Sequence, residues 1–188
     1  MRRTGAAFAL AVLLTGCSAA GTPSPVTGAT PTSSATASAD PIPPIRDVKN
    51  LAATRPCDLL TPAQLAASQI DLPARSRTVV GAPACEWDNK AHTRQISVVV
   101  DVGHDVLHNV YAQRQSFAIF EITQVEGQPA LRTKDTADGT SCTFAVATAQ
   151  RQSFTLRFTS LRQGLEEPCG QAKTLAETVM GNLPPLKG

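Results

Sequence analysis

Cys57, Cys85, Cys142 and Cys169 are spread along the chain behind a fifth cysteine, Cys17. Whether those four can be oxidised to each other decides what this chain can fold into, because two cross-links would rule out most alternative arrangements. The compartment settles that question, and the first seventeen residues speak to it. Arg2 and Arg3 precede an apolar run from Ala6 to Leu14, which Leu14-Thr15-Gly16-Cys17 brings to an end. This is the layout of a secretory signal, with an apolar core well short of the roughly 20 residues a spanning helix needs. Leu-Thr-Gly-Cys in that place reads as the lipobox of a bacterial lipoprotein signal. Residues 1–16 are therefore expected to be removed and Cys17 to become a palmitate-type lipidated N-terminus. The protein would then be a lipoprotein anchored at the cell membrane on its extracytoplasmic face, with the membrane as its first partner. Each buried CH₂ adds about 0.8 kcal/mol, and stable attachment takes more than one acyl chain, which lipoprotein processing supplies.

With Cys17 set aside, an even number of cysteines remains outside the cytoplasm. That implies a disulfide framework, for which four cysteines allow three connectivities. Zinc is the competing use. None of the four forms a C-x-x-C pair, and no His lies at ligand spacing from any of them, so no structural metal is expected.

The signal also accounts for the charge. The full chain has 17 Lys+Arg against 15 Asp+Glu. Removing Arg2 and Arg3 with no acid leaves 15 against 15. Nothing then points to a nucleic-acid partner, which requires Lys and Arg clustered on one face.

Residues 17–50 are read as the lipidated cysteine and a flexible tether. From Ser18 to about Ile45 the chain is Ala, Thr, Ser, Pro and Gly with almost no bulky apolar residue. Such a segment buries too little surface to offset its ordering entropy. Its relaxed reach of about 30 Å would lift a domain clear of the headgroups. Residues 51–188 remain, the usual size of a single domain.

Within that domain Thr61, Pro62 and Gln64 carry a helix start: an N-cap, a proline at the first helical position, and a capping-box partner. A short helix should run to about Ser68. Ala84 to Asp88 and Gln95 to Val102 read as strands joined by a loop at Asp88 to Thr93, with Ile96, Val98, Val100 and Val102 on the buried face. A second helix is expected from Asp105 to Gln115, where Val106, Leu107, Val110 and Tyr111 have helical spacing. Ile119 to Val125, Ala130 to Thr133, Cys142 to Thr148 and Ser153 to Thr159 read as strands, the last two pairing as a hairpin. Glu166, Glu167 and Pro168 open a closing helix with the stripe Ala172, Leu175, Ala176, Val179 and Met180. The fold expected is α+β: one domain, a mainly antiparallel sheet of about five to six strands, about three helices over one face or at the ends, and two disulfides.

Several of these marks occur together in one known family. Pro56-Cys57-Asp58-Leu59-Leu60-Thr61, Cys85-Glu86-Trp87, Val125-Glu126-Gly127-Gln128-Pro129-Ala130, the cysteine-bearing strand at Cys142, and Cys169 opening a helix that ends in Asn182-Leu183-Pro184 span nearly the whole domain. In order and spacing the chain resembles the actinobacterial lipid-anchored proteins grouped as a domain of unknown function, DUF3558. The resemblance implies an exported lipoprotein and transfers no catalytic residue. It also implies a disulfide pairing: look-alike chains that keep the Pro-Cys and Cys-x-Trp marks but lack the later pair point to Cys57 with Cys85, leaving Cys142 with Cys169. The rival pairing is Cys57 with Cys169 and Cys85 with Cys142.

Catalytic chemistry finds little footing. His104-Asp105-Val106-Leu107-His108 places two histidines at i and i+4, as in the H-E-x-x-H of zinc peptidases, but with Asp for Glu and no evident third ligand. It reads as a solvated helix start, with His104 or Asp105 as cap. There is no G-x-S-x-G elbow and no glycine-rich phosphate loop. Glu86 beside Trp87 reads as an exposed position next to a core one. No cofactor is expected. The leading expectation is a non-catalytic module that binds an envelope protein or a small ligand. The alternative is an envelope hydrolase using an unrecognised carboxylate or a His104/His108 site.

Overall fold

The structure, a computed structural model, describes residues 40–161 and 167–186; Cys17, the expected lipobox and Glu166 lie outside them. The first elements arise from local chemistry. A 3-10 turn at Pro56–Asp58 leads into α1 (Pro62–Ala67), where the Thr61 hydroxyl accepts from Gln64 N–H and the Gln64 side chain accepts in return from Thr61 N–H. The capping box expected there is present in full.

Seven strands follow: β1 (Arg75–Val79), β2 (Ala82–Asp88), β3 (Arg94–Val102), β4 (Ile119–Val125), β5 (Gln128–Lys134), β6 (Ser141–Ala149) and β7 (Gln152–Ser160). They form one antiparallel sheet in the order β1-β2-β3-β7-β6-β5-β4. Two meanders, β1 to β3 and β4 to β7, are thus joined along β3 and β7. The link between them carries α2 (Val106–Ala112) from the middle of the sheet to its far edge. Two of the hairpins, Val80-Gly81 and Glu126-Gly127, turn with both central residues at positive φ, the two-residue geometry that matches strand twist.

Period-two patterning found every strand but β1, so the sheet has seven strands where five to six were expected. All five residues of β1 are exposed, and no apolar alternation marks it. Its side chains are held by charge: Arg77 Nε bonds Glu86 Oε2 at 2.9 Å, and Arg75 reaches both Glu86 and Asp88 of β2. Val102, expected inside by alternation, is half-exposed at the end of β3 opposite Gln152.

The sheet buries both faces in part. On one face Trp87, Ile96, Val98, Phe144, Phe154, Leu156 and Phe158 pack with α1 and with α3 (Pro168–Asn182), whose stripe Ala172, Leu175, Ala176, Val179 and Met180 is buried as expected. Glu167 caps α3 by accepting from Gly170 N–H at 2.8 Å. On the other face Leu131, Ala145 and Ala147 meet Leu107 of α2 together with Ile42. Helices therefore cover both faces rather than one. The α2 connection has to cross the sheet to reach β4, and the face already filled by α3 is closed to it.

Residues 40–50, which composition assigns to the tether, run along the folded domain. Ile42 is buried, Lys49 N–H donates to Thr148 O at 2.7 Å, and Asn50 N–H donates to Pro184 O at 2.8 Å. Two glutamines hold the entering chain. Gln128 accepts from Arg46 N–H and donates to Asp47 O, and Gln152 accepts from Leu51 N–H. A register shift between Ala147 and Ala149 in β6 leaves Thr148 outside the regular ladder, where its carbonyl receives Lys49. These partners lie so far along the chain that composition carries no trace of them.

Cys57 bonds Cys85, tying the 3-10 turn to β2, and Cys142 bonds Cys169, tying β6 to the first turn of α3. This is the pairing the family resemblance implied. Sequence separations of 28 and 27 residues give each bond about 3 to 4 kcal/mol by loop closure. Replacing Cys142 and Cys169 together by Ala should lower the unfolding free energy by about that amount in urea titrations. A non-reducing peptide map of the unaltered protein should contain a Cys57–Cys85 fragment and a Cys142–Cys169 fragment.

Candidate functional site

The motif Asp101-Val102-Gly103-His104-Asp105-Val106-Leu107-His108 leaves the end of β3 and enters α2. Each histidine turns back to the aspartate three residues before it. His104 Nδ1 lies 2.9 Å from Asp101 Oδ1, and its backbone N–H also donates to that oxygen. Asp105 is the N-cap of α2, accepting from His108 N–H, and it also takes His108 Nδ1 at 2.9 Å. The two rings therefore serve separate carboxylates and do not converge. Among the described residues no group of three or more His, Cys, Asp or Glu is arranged to hold a metal ion.

His108 has a further partner that sequence reading missed. Its Nε2 lies 2.9 Å from Asp40 Oδ1, a residue 68 positions earlier. Asp40 is itself fixed by Ile42 N–H at 2.9 Å. An imidazole facing a carboxylate at each nitrogen can donate to both only as the imidazolium, since the neutral ring has one N–H. The ion is accordingly favoured: hydrogen bonds from Asp105 first and Asp40 second raise the His108 pKa above its ordinary value. The Ile42 amide and then His108 lower that of Asp40. Nothing near Asp40 in the sequence advertises this role, because it stands at the end of a Ser/Thr/Ala tract.

Around this clamp lies an open groove of about 570 Å³. One wall is the entering segment Ile42, Pro43, Pro44 and Ile45; another is Val106 and Leu107 of α2; the floor includes Ala147, Ala149 and Ser153. Ser153 stands opposite Ala147 in the β6–β7 ladder, so its side chain faces the α2 side of the sheet, while its neighbour Phe154 faces α3. The Ser153 hydroxyl is buried and has no hydrogen-bond partner among the described residues. Arg151 closes one end, its guanidinium donating to Gly103 O.

Other polar residues noted from sequence are engaged elsewhere. Trp87 is 1% exposed in the main core, and Glu86 on the opposite side of β2 pairs with Arg75 and Arg77. Trp87 also floors a second hollow of about 690 Å³ beneath α1, but the acids on its rim are committed, Asp58 to Arg55 and Asp71 to Lys90 N–H. Among the described residues neither His104 nor His108 hydrogen-bonds to a hydroxyl or a thiol. No helix among the described residues is long and apolar enough to cross a membrane.

Residues 12–182 match the family model described as "Protein of unknown function (DUF3558)". No curated protein and no solved structure matches the chain.

The clamp sets a pH dependence. A histidine whose folded pKa is raised adds stability in full below its unfolded value of about 6.5, and that contribution is lost as pH rises through the folded value. Asp40, with its pKa lowered, adds stability above its unfolded value and loses it as pH falls. The melting temperature of the unaltered protein relative to that of His108→Gln should therefore be highest near pH 6 and decline toward pH 8. Proton NMR should place the His108 midpoint above 6.5 and return it toward that value in Asp40→Asn.

Proposed function

Taking as premise that the chain belongs to the DUF3558 family, we propose that the protein is a lipid-anchored extracytoplasmic module that binds a small ligand or an envelope partner and performs no catalysis of its own. The observation that carries this reading is the groove at His108. It pairs apolar walls with a few polar groups at one end, the make-up of a binding site. Its carboxylates and imidazoles are bound to one another rather than to a nucleophile. Two disulfides are in keeping with an oxidising compartment, and the Leu14-Thr15-Gly16-Cys17 lipobox supplies the route to it. The groove wall begins at Asp40, 23 residues after Cys17, so the tether would lead from the anchor directly into the binding site.

Two measurements test the proposal. Cys17→Ala should end palmitate labelling and move the protein from the membrane fraction to the soluble fraction; unchanged fractionation would remove the anchor from the account. Protein purified from its native envelope should carry a copurifying molecule detectable by mass spectrometry, reduced at least tenfold in Val106→Arg, which places a charge in the groove wall. Turnover of ester, amide or glycoside substrates that His108→Gln abolishes would instead establish the hydrolase.

A further inference from the structure

Resting on the reading of the groove as a binding site, we propose that its ligand is a small anionic amphiphile: an apolar chain ending in a carboxylate that takes the place Asp40 holds at His108 Nε2. The argument begins with which partner of His108 can leave. Asp105 is fixed twice, as the cap of α2 and at Nδ1, so the ring is oriented from that side. Asp40 is 59% exposed and is held by His108 and by the amide of Ile42. It belongs to the entering segment, which lies on the sheet as one wall of the groove. The oriented imidazolium thus presents a fixed N–H to an exchangeable carboxylate, and a ligand carboxylate satisfies it equally well.

The rest of the groove fits such a molecule. Beyond His108 the groove has apolar walls, with Ile42, Pro44, Ile45, Val106, Ala147 and Ala149, and polar residues at the β6–β7 turn, Gln150 to Ser153; the volume of about 570 Å³ is that of small-molecule sites. The charged and titratable groups that line the groove with His108 are Asp40 and Asp105, His104, which is paired with Asp101, and Arg151. Arg151 uses Nε and one terminal nitrogen on Gly103 O, which leaves further guanidinium N–H groups at the same end of the groove. The Ser153 hydroxyl, 3% exposed and without a partner among the described residues, is a second polar position on the floor beside Ala147 and Ala149. A quaternary ammonium head is disfavoured at this position, because it has no lone pair to accept from His108 Nε2–H and meets the like charge of the imidazolium. An uncharged head would have to compete with Asp40 for the imidazolium without a charge of its own.

Calorimetric titration of decanoate, decanol and decyltrimethylammonium into the secreted full chain carrying Cys17→Ala tests the assignment. Decanoate should bind at least tenfold more tightly than decanol at pH 6, with decyltrimethylammonium weakest, and its advantage should shrink as pH is raised through the His108 midpoint found by NMR. Asp40→Asn should raise decanoate affinity several-fold, since the internal competitor is gone. His108→Gln, checked for folding by its far-UV spectrum, should bring decanoate and decanol to equal affinity. Asp40→Asn leaves α2 and its cap untouched, so it keeps the test decisive where His108→Gln disturbs the helix. Equal binding of the three probes, or no gain in Asp40→Asn, would overturn the carboxylate assignment while leaving the groove a binding site. Failure of all three to bind also overturns it, and the binding-module reading is then judged separately by the copurifying ligand and its loss in Val106→Arg.

Discussion

The pairing of β3 with β7 joins two meanders that would otherwise be separate small sheets. Nine residue pairs run from Arg94 with Ser160 to Val102 with Gln152, and Ile96, Val98 and Val100 stand opposite Phe158, Leu156 and Phe154. These six side chains lie on one face and are buried together, so the register that forms the ladder also forms the core beneath α3. Each such side chain contributes about 1.5 to 3 kcal/mol when removed from water. A slip of one residue would turn all of them to the opposite face, which makes this register strongly specified.

From that seam the rest follows in space. The chain leaves β3 in the middle of the sheet and must reach β4 at the edge, so α2 crosses the face that α3 does not occupy. The start of that crossing is the Asp101 to His108 segment, which is why two Asp–His pairs lie beside the end of β7 and the turn at Arg151. The entering segment fills the remaining space on this face, held by Gln128, Gln152 and the displaced Thr148. The groove is the gap left between these three pieces. The two disulfides act elsewhere: one fastens the turn before α1 to β2, the other fastens α3 to β6.

Elements with a strong local or periodic signal were legible in the sequence. The capping box at Thr61 and Gln64 requires only four residues, and it formed as expected. The alternation in β3, β6 and β7 is visible because each strand has one face in the main core. The stripe of α3 is legible for the same reason at helical spacing. β1 was not legible, because ion pairs with Glu86 and Asp88 rather than burial hold its side chains, and such pairs leave no period. The histidines of the candidate site were visible as a motif, but the zinc-peptidase comparison drew attention to their i, i+4 spacing, whereas the structure uses the i, i+3 relation of each to its own aspartate. Asp40 could not be found at all, since only folding brings it to His108.

The amino-acid sequence by itself determined the helix starts, six of the seven strands, the number of cysteines available for cross-links and the α+β class, because caps and amphipathic periods are written over a few neighbouring residues. Tertiary structure decided the strand order, which face each helix covers, the attachment of residues 40–50, and the clamp on His108. Those depend on hydrogen bonds and packing between residues far apart in the chain. A single side chain such as Asp40 or Gln128 acquires its meaning there only from the partner that the fold sets in front of it.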